Sequence, residues 1–211
     1  LQPQRFLRQL RRITAAHKVP LVFDEMVNGF RVAPGGAQEW FGVKADLCVY
    51  GKIVGGGLPM SVIGGNTELM RWVDGGGWNF GDDSFPLTDT IMTGGTHNRH
   101  PLALAAANAV LDHIRSEGTT LYPALRKRMR TLADRINVFF EHEAVPLQFT
   151  HFGTQFRFEG NAGSIELELF YYLLIERGVF TWESHVCNLS TAHTDEDCAE
   201  IVAAVKESVK A

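Results

Sequence analysis

The chain has 211 residues, 45% of them hydrophobic and 21% charged, a composition typical of a globular protein with a real core. Its net charge of −4 argues against nucleic acid or an anionic membrane as a partner. Its three cysteines are too few and too scattered for a disulfide framework or a metal site. Neither a membrane-spanning apolar run nor a signal segment is present, so we expect a cytoplasmic protein with reduced thiols and no membrane partner.

The first part of the chain alternates a helix with apolar strands. Apolar residues at spacings of three and four predict a helix over residues 3–17, which Pro20 ends. The runs LVF at 21–23, DLCVY at 46–50 and SVIGG at 61–65 predict three strands. Helix, strand, crossover and strand in succession favour an α/β layer with a largely parallel sheet.

Helices dominate the second part of the chain. Pro101 begins a helix with a regular apolar pattern, and Gly118 closes it. We therefore place a partial large α/β domain at 1–119 and a small C-terminal α+β domain at 120–211. The predicted elements are a long loop at 66–99, helices at 101–118, 120–142, 165–178 and 195–210, and strands within 149–158.

Two polar features follow the predicted strands. Asp24 and Glu25 come directly after the first apolar run, and open α/β sheets bind ligands outside the carboxyl ends of their strands. A helix cap or a turn acid accounts for this pair equally well. Lys52 follows the second strand and precedes three consecutive glycines, which allow a ligand to approach the backbone closely. Burial against a ligand lowers the pKa of a lysine and makes its amine nucleophilic.

Nucleotide binding by the glycine-rich segment is disfavoured. A phosphate-binding loop places Gly-Lys-Ser/Thr at its end, whereas Lys52 precedes the glycines here and Leu58-Pro59 follows them. The spacing of Asp24 and Lys52 corresponds to one strand–crossover–strand unit, so the two side chains could face a single cofactor. Pyridoxal phosphate requires that pair, because a lysine forms an imine with it and an acid keeps its pyridine nitrogen protonated.

Three segments, in order and in register, resemble the class III aminotransferases. Residues 23–31 read FDEMVNGFR, residues 50–59 read YGKIVGGGLP, and residues 95–103 read GTHNRHPLA. The likeness continues through FGTQFRF at 152–158 and LSTAHTDED at 189–197, so it covers nearly the whole chain. The resemblance implies the C-terminal part of a fold-type I pyridoxal-phosphate-dependent transferase: part of its large, mostly parallel-sheet domain and its small domain.

The resemblance also implies a role for each matched residue. Lys52 would be the Schiff-base lysine and would move the proton between the substrate and the cofactor. Asp24 would bind the pyridine nitrogen, and Met26 would pack on one face of the ring, where the family usually has valine. Thr96 would bind the cofactor phosphate of the neighbouring subunit, which implies a homodimer with shared active sites.

A finer resemblance is to glutamate-1-semialdehyde aminomutase-like proteins, and within them to aminotransferase domains of polyketide and nonribosomal peptide synthases. The segments PGGAQ at 34–38 and WES at 182–184 carry it. Other residues admit a structural role as readily as a chemical one. Arg157 suits an ion pair better than a substrate carboxylate, His97 and His193 suit capping or packing better than proton transfer, and Glu25 suits loop ordering as well as cofactor contact.

The first residue is Leu and the chain starts directly in a helical pattern, as an excised piece would. In the family, a long preceding part supplies the helix that grips the phosphate and the aromatic residue on the other ring face. We therefore expect these 211 residues alone to bind pyridoxal phosphate poorly and not to turn over.

Three functions remain open at this point. The first is transamination from an amino-acid donor to a carbonyl substrate, possibly a carrier-bound ketoacyl chain; the second is an aminomutase of the semialdehyde type. The third is a truncated, non-catalytic subunit.

Overall fold

The computed structural model describes residues 3–160, 165–182 and 185–211. The chain divides into two compact units, Leu1–Gly118 and Thr119–Ala211, one residue from the division predicted from the sequence. The two units are here called unit 1 and unit 2. No helix in the described ranges is long and apolar enough to cross a membrane.

Unit 1 contains a three-stranded sheet in the order β1-β2-β3. The β1–β2 pair is parallel, but β2 and β3 pair antiparallel, so the expectation of a largely parallel sheet is only half right. The reason is the short connection at 51–61: a parallel return needs a crossover of a dozen or more residues, usually with a helix. The elements are α1 (Pro3–Ala16), β1 (Val22–Glu25), α2 (Gly36–Phe41), β2 (Leu47–Tyr50), a 3-10 helix (Lys52–Gly55), β3 (Val62–Gly65) and α3 (Thr67–Asp74).

Helix α1 packs on the sheet through only part of its apolar face. Leu7 and Leu10 contact a small buried cluster, whereas Phe6 and Ile13, predicted on the same face, are exposed. Polar contacts of Asp46 complete the attachment, because its carboxylate accepts hydrogen bonds from the Leu21 N–H and from Arg11, both at 2.7 Å. The buried members of the cluster are Leu21, Phe23, Val43, Ala45 and Cys48.

Helix α3 lies within the segment predicted as a loop, so that prediction was wrong for residues 67–74. Asn66 caps the helix, with its side chain accepting a hydrogen bond from the Leu69 N–H at 3.0 Å. A helix of two turns is too short to show a period of 3.6, which is why the sequence pattern missed it. The remaining residues, 75–100, form neither helix nor strand.

The two helices predicted at 101–118 and 120–142 are one helix, α4 (Pro101–His142), which includes the boundary between the units. Gly118 does not end it, because a glycine in a helix interior costs only about 1 kcal/mol relative to alanine. Pro123 also lies inside it. A stripe containing Met129, Leu132 and Ile136 is fully buried in the second half, and this burial outweighs the unfavourable residues.

Unit 2 contains an antiparallel sheet of β4 (Gln148–Phe152), β5 (Gln155–Glu159) and β6 (Cys187–Asn188), in the order β4-β5-β6. The sheet and the helices of this unit enclose an aromatic core. Helix α6 begins with a capping box, in which the side chains of Thr194 and Asp197 each accept a hydrogen bond from the other's backbone N–H. The other elements after α4 are α5 (Ile165–Glu176) and α6 (Asp195–Lys210).

Candidate active site

Asp24 and Lys52 lie at the same edge of the unit 1 sheet. Asp24 is the third residue of β1 and pairs in register with Val49 of β2. Lys52 begins the 3-10 helix just after β2 ends. Because β1 and β2 are parallel neighbours, both residues stand at carboxyl ends of strands, the edge where open α/β sheets bind ligands.

The Asp24 carboxylate is exposed, and one of its two oxygens accepts a hydrogen bond from within the chain. Its Oδ1 accepts a hydrogen bond from the Met26 N–H at 2.9 Å, which closes a tight turn after the strand. Among the described contacts, its other oxygen has no partner. Asp24 can therefore accept a further hydrogen bond from a ligand without losing the one that orients it.

Lys52 is exposed and has a φ of +52°, in the left-handed region that non-glycine residues rarely occupy. Such strain, on the order of 1–3 kcal/mol, clusters at functional sites. The buried Gly51 precedes it in extended conformation. The strained turn therefore fixes the direction in which the lysine leaves the end of β2.

Met26 lies against the Gly51 backbone. A Cβ at position 51 would stand only 2.9 Å from the Met26 sulfur, so glycine provides the space that the thioether fills. The structure thus places an apolar, polarisable side chain beside the residue that links β2 to Lys52. Asp24, Met26 and Lys52 are brought to one place.

Glu25 performs the loop-ordering role. It is only 1% exposed, and its two carboxylate oxygens accept hydrogen bonds from the N–H groups of Ala37 and Gln38, both at 3.0 Å. Gly36 approaches so closely that a Cβ there would be 2.6 Å from a carboxylate oxygen. Glu25 therefore anchors the start of α2.

Gln38 continues this network to β2. Its side-chain amide donates to the Tyr50 hydroxyl at 3.2 Å and to the Cys48 sulfur at 2.8 Å, and its oxygen accepts from the Ala45 N–H at 2.8 Å. Burial, followed by the neighbouring Cys48 and Glu25, raises the pKa of Tyr50 to about 12, so the phenol stays neutral. The matched segments contain Gln38 and Tyr50 but gave neither an individual role, because long-range side-chain hydrogen bonds leave no periodic signal.

Thr96 is not brought to this edge by any contact in the described part of the chain. It lies in an exposed turn in which the Asn98 N–H donates to the Gly95 carbonyl at 3.0 Å. His97 follows it and is also exposed. The hydroxyl of Thr96 is thus open to a group outside this chain.

The remaining candidates have structural partners. Arg157 forms an ion pair with Glu159, two residues along β5, as the sequence favoured. The His193 ring lies 3.1 Å from the Ser190 hydroxyl and orders the loop before α6. Of the segment 182–184, residues 183 and 184 lie outside the described residues. The described ranges contain no cluster of side chains suited to a metal ion.

Comparison with known proteins yields one family. The family model described as aminotransferase class-III matches residues 1–209. A glutamate-1-semialdehyde 2,1-aminomutase from Archaeoglobus fulgidus is 34% identical over 97% of this chain and 49% of its own length. The enzyme of the same name from Methanothermobacter thermautotrophicus is 33% identical over 96% of this chain and 48% of its own.

Solved structures of similar fold include transaminases. An omega-transaminase from Sphaerobacter thermophilus superposes with a TM-score of 0.84 at 26% identity, covering 98% of this chain and 48% of its own. A beta-phenylalanine aminotransferase from Variovorax paradoxus gives a TM-score of 0.81, also at 26% identity, over 98% of this chain and 48% of its own. The chain thus spans about half the length of the curated relatives and structures it matches.

Proposed function

Because this chain belongs to the class III aminotransferase family, whose members depend on pyridoxal phosphate, we propose that it catalyses transamination with that cofactor. The amino group passes from an amino-acid donor to a carbonyl substrate. One observation carries the proposal: Asp24 and Lys52 lie at the carboxyl ends of adjacent parallel strands, with Met26 against the glycine that leads into the lysine.

The residues at this edge fit pyridoxal phosphate. The open oxygen of Asp24 suits a pyridinium N–H, the exposed amine of Lys52 suits a carbonyl, and the thioether of Met26 suits the face of an aromatic ring. When bound, the cofactor supplies an electron sink for the electron pair left at the substrate carbon.

Lys52 and Asp24 have complementary roles in the reaction. The Lys52 amine would hold the cofactor covalently while no substrate is bound. When free, the same nitrogen would move the proton between the amino-bearing carbon of the donor and the cofactor. Asp24 would keep the pyridine nitrogen protonated by accepting a charge-assisted hydrogen bond from it.

Thr96 binds the cofactor phosphate of a second subunit in this proposal, so the protein acts as a homodimer with shared sites. Its support is the exposure of the turn that carries Thr96. The same stretch exposes large apolar side chains that a partner would cover, among them Phe80, Phe85, Leu87 and Met92.

The resemblance of residues 34–38 and 182–184 to synthase-embedded aminotransferases supports a carrier-bound ketoacyl chain as the carbonyl substrate. We propose this substrate for a cytoplasmic enzyme. Amino transfer to the ketoacyl chain should be faster when that chain is attached to a carrier protein than when it is the free acid. Equal rates would contradict the carrier-bound substrate while leaving transamination intact.

A second candidate function is that of an aminomutase, which returns the amino group to the same molecule. The curated relatives named above support it, since both are glutamate-1-semialdehyde aminomutases. Incubation of the semialdehyde with the protein and no added amino donor separates the two functions. Continuous product formation supports the aminomutase, whereas a requirement for a donor supports the transaminase.

The 211 residues by themselves bind pyridoxal phosphate weakly and do not turn over, in our proposal. Asp24, Lys52 and Thr96 are all exposed, so this chain provides one wall of a site. Equilibrium dialysis measures the affinity directly. Tight binding by the isolated chain would contradict this part of the proposal. A natural protein of greater length that remained inactive would favour a non-catalytic subunit.

The proposed function is tested by substituting the lysine in the natural protein that carries these residues. Lys52→Ala should reduce amino transfer by about three orders of magnitude or more, because no other group replaces its covalent and proton-transfer roles. Lys44→Ala is the matched control, since Lys44 is another exposed lysine of unit 1. Retained activity in Lys52→Ala would exclude the proposed mechanism.

A further inference from the structure

Glu25, Gln38 and Tyr50 form a continuous chain of contacts between the ends of β1 and β2, here called the clasp. Glu25 and Tyr50 are paired residues of the two parallel strands. The Glu25 carboxylate holds the first backbone N–H groups of α2, and the side chain of Gln38 returns from α2 to the Tyr50 hydroxyl. The contact therefore runs from one strand, through a helix, to the neighbouring strand.

The clasp and the candidate active site occupy opposite sides of β1. Successive residues of a strand point to opposite faces, and β1 follows that rule, with Asp24 exposed and Glu25 buried. Because Asp24 and Glu25 are adjacent in the strand, a shift of the Glu25 backbone also shifts Asp24. Likewise Tyr50 is separated from Lys52 by Gly51 alone, so the position of Tyr50 sets where the turn into Lys52 begins.

The side chains of the clasp are tightly packed against their neighbours. A Cβ at Gly29 would stand 2.7 Å from both the Glu25 carbonyl oxygen and the Tyr50 ring. The Tyr50 ring also packs on Phe30, with 5.3 Å between ring centroids. At this edge, the space that a side chain would need at each of three glycines is already occupied. Tyr50 occupies it at Gly29, the Glu25 carboxylate at Gly36, and Met26 at Gly51.

We propose that Glu25 and Gln38 are positioning residues, which hold the end of β1 carrying Asp24 at a fixed spacing from the end of β2 leading to Lys52. They do so through Tyr50 and from the buried face of the sheet, without touching the cofactor. The proposal deepens, and rests on, the function assigned above to Asp24 and Lys52. Glu25 thus has a positioning role, whereas its neighbour Asp24 is the residue proposed to contact the cofactor.

Hydrogen exchange in the cofactor-free natural protein tests the clasp without any catalytic assay. Glu25→Gln replaces one accepting oxygen with an amide nitrogen that faces an N–H donor, and so breaks one hydrogen bond to α2. Exchange of the backbone amides at 48–51, on the other strand, should accelerate about fivefold to tenfold, the effect of about one hydrogen bond. Acceleration confined to Ala37 and Gln38 would overturn the proposal, since it would make Glu25 a purely local cap.

Gln38→Met is the second variant, and it decides the matter if Glu25→Gln fails to fold. It keeps the length of the side chain and removes its hydrogen bonds to Tyr50 and Cys48, together with the one it accepts from the Ala45 N–H. The same amides at 48–51 should accelerate. Glu39→Gln is the matched control, because Glu39 is an exposed acid of the same helix whose carboxylate bonds only to the Gly35 N–H among the described contacts. Its exchange pattern at 48–51 should match that of the unmodified protein.

Steady-state kinetics of the holoenzyme provides the functional reading. Misalignment of Lys52 should lower kcat about tenfold in Glu25→Gln and Gln38→Met, with the KM for the amino donor within about twofold. An unchanged kcat in both folded variants would also overturn the proposal. If instead the unmodified protein transfers no amino group, the proposed function fails, while the exchange measurement still decides whether the clasp couples the two strands.

Discussion

The two units of the chain differ in how completely they bury their apolar side chains. Unit 2 encloses an aromatic core, in which Phe149 stacks on Phe156 at 4.9 Å and Phe158 meets Phe170 edge-on at 5.0 Å between ring centroids. Unit 1 has a cluster of a few buried residues and leaves large apolar side chains in solvent, with Phe80 98% and Met92 95% exposed. Its sheet is nevertheless the one that carries Asp24 and Lys52.

We infer that the two units divide stability from chemistry. Unit 2 holds the larger apolar core, whereas unit 1 holds the side chains proposed to meet a ligand, which must stay accessible. Substitutions in the core of unit 2 should therefore change the free energy of unfolding. Substitutions at the β1–β2 edge should change cofactor binding and rate instead.

The largest effect on stability is expected at Phe158, which contacts Phe149, Phe170 and Tyr171 in the core of unit 2. Phe158→Ala should lower the free energy of unfolding by about 3–5 kcal/mol, because it leaves a cavity among rings that cannot close it. Denaturant unfolding measures the change. Val138→Ala, at an exposed position of α4, is the control and should shift the free energy by less than about 0.5 kcal/mol.

The second effect is on rate and lies in unit 1. Asp24→Asn should lower kcat/KM about 10- to 100-fold, since an amide cannot hold the proton on the pyridine nitrogen, and the midpoint of unfolding should stay unchanged. Asp74→Asn is the matched control, because the Asp74 carboxylate accepts from the Gly76 N–H at 2.9 Å in the same kind of turn. If Asp24→Asn lowered the midpoint of unfolding as well as kcat/KM, the proposed division between the two units would be contradicted.

The third effect depends on pH and concerns Asp46 of unit 1. The hydrogen bond from the Leu21 N–H, then the bond from Arg11, lowers the pKa of Asp46 below its usual value. Its contribution to stability is therefore present above the unfolded pKa of about 3.9 and is lost as the pH falls through the lower folded value. Asp46→Asn should be less stable than the unmodified protein at pH 7, and the gap should close in acid.

Asp112→Asn serves as the control for Asp46, since Asp112 pairs only with Arg115 on the exposed surface of α4 among the described ion pairs. Its unfolding curve should follow that of the unmodified protein at every pH. A stability gap for Asp46→Asn that does not narrow as the pH falls below the unfolded pKa of about 3.9 would show that charge at position 46 is not the cause.

The smallest effect is expected at Arg157. Its ion pair with Glu159 is exposed on β5, and such pairs contribute about 0–1 kcal/mol. Arg157→Ala should leave the KM for a carboxylate substrate unchanged and alter the free energy of unfolding by less than about 1 kcal/mol. A large rise in KM would restore the substrate-binding role that the sequence had left open.

Strand positions and the Asp24–Lys52 pair could be predicted from the sequence because both depend on local order. Apolar runs end where the strands end, and the polar residues that follow them are visible in one dimension. The direction of β3 and the continuity of α4 depend instead on crossover length and on long-range burial. The class III motifs supplied the proposed roles of Asp24 and Lys52, which spacing alone left open.

The clasp was beyond prediction for a related reason. Glu25, Gln38 and Tyr50 are separated along the chain, and their connection exists only after the strands pair and α2 folds back. Glu25 was noted as a neighbour of Asp24, but its partners are backbone N–H groups, which every residue except proline carries. No residue-type signal therefore pointed from Glu25 to Gln38.

Peptide mapping after borohydride reduction tests most directly whether the β1–β2 edge holds pyridoxal phosphate. Borohydride fixes the cofactor to whichever lysine holds it, and mass spectrometry then locates the added mass. In the natural protein the adduct should lie on Lys52, should be absent in Lys52→Ala, and should persist on Lys52 in Lys44→Ala. A stoichiometric adduct on another lysine, or none in the active protein, would contradict the assignment of this edge as the cofactor site.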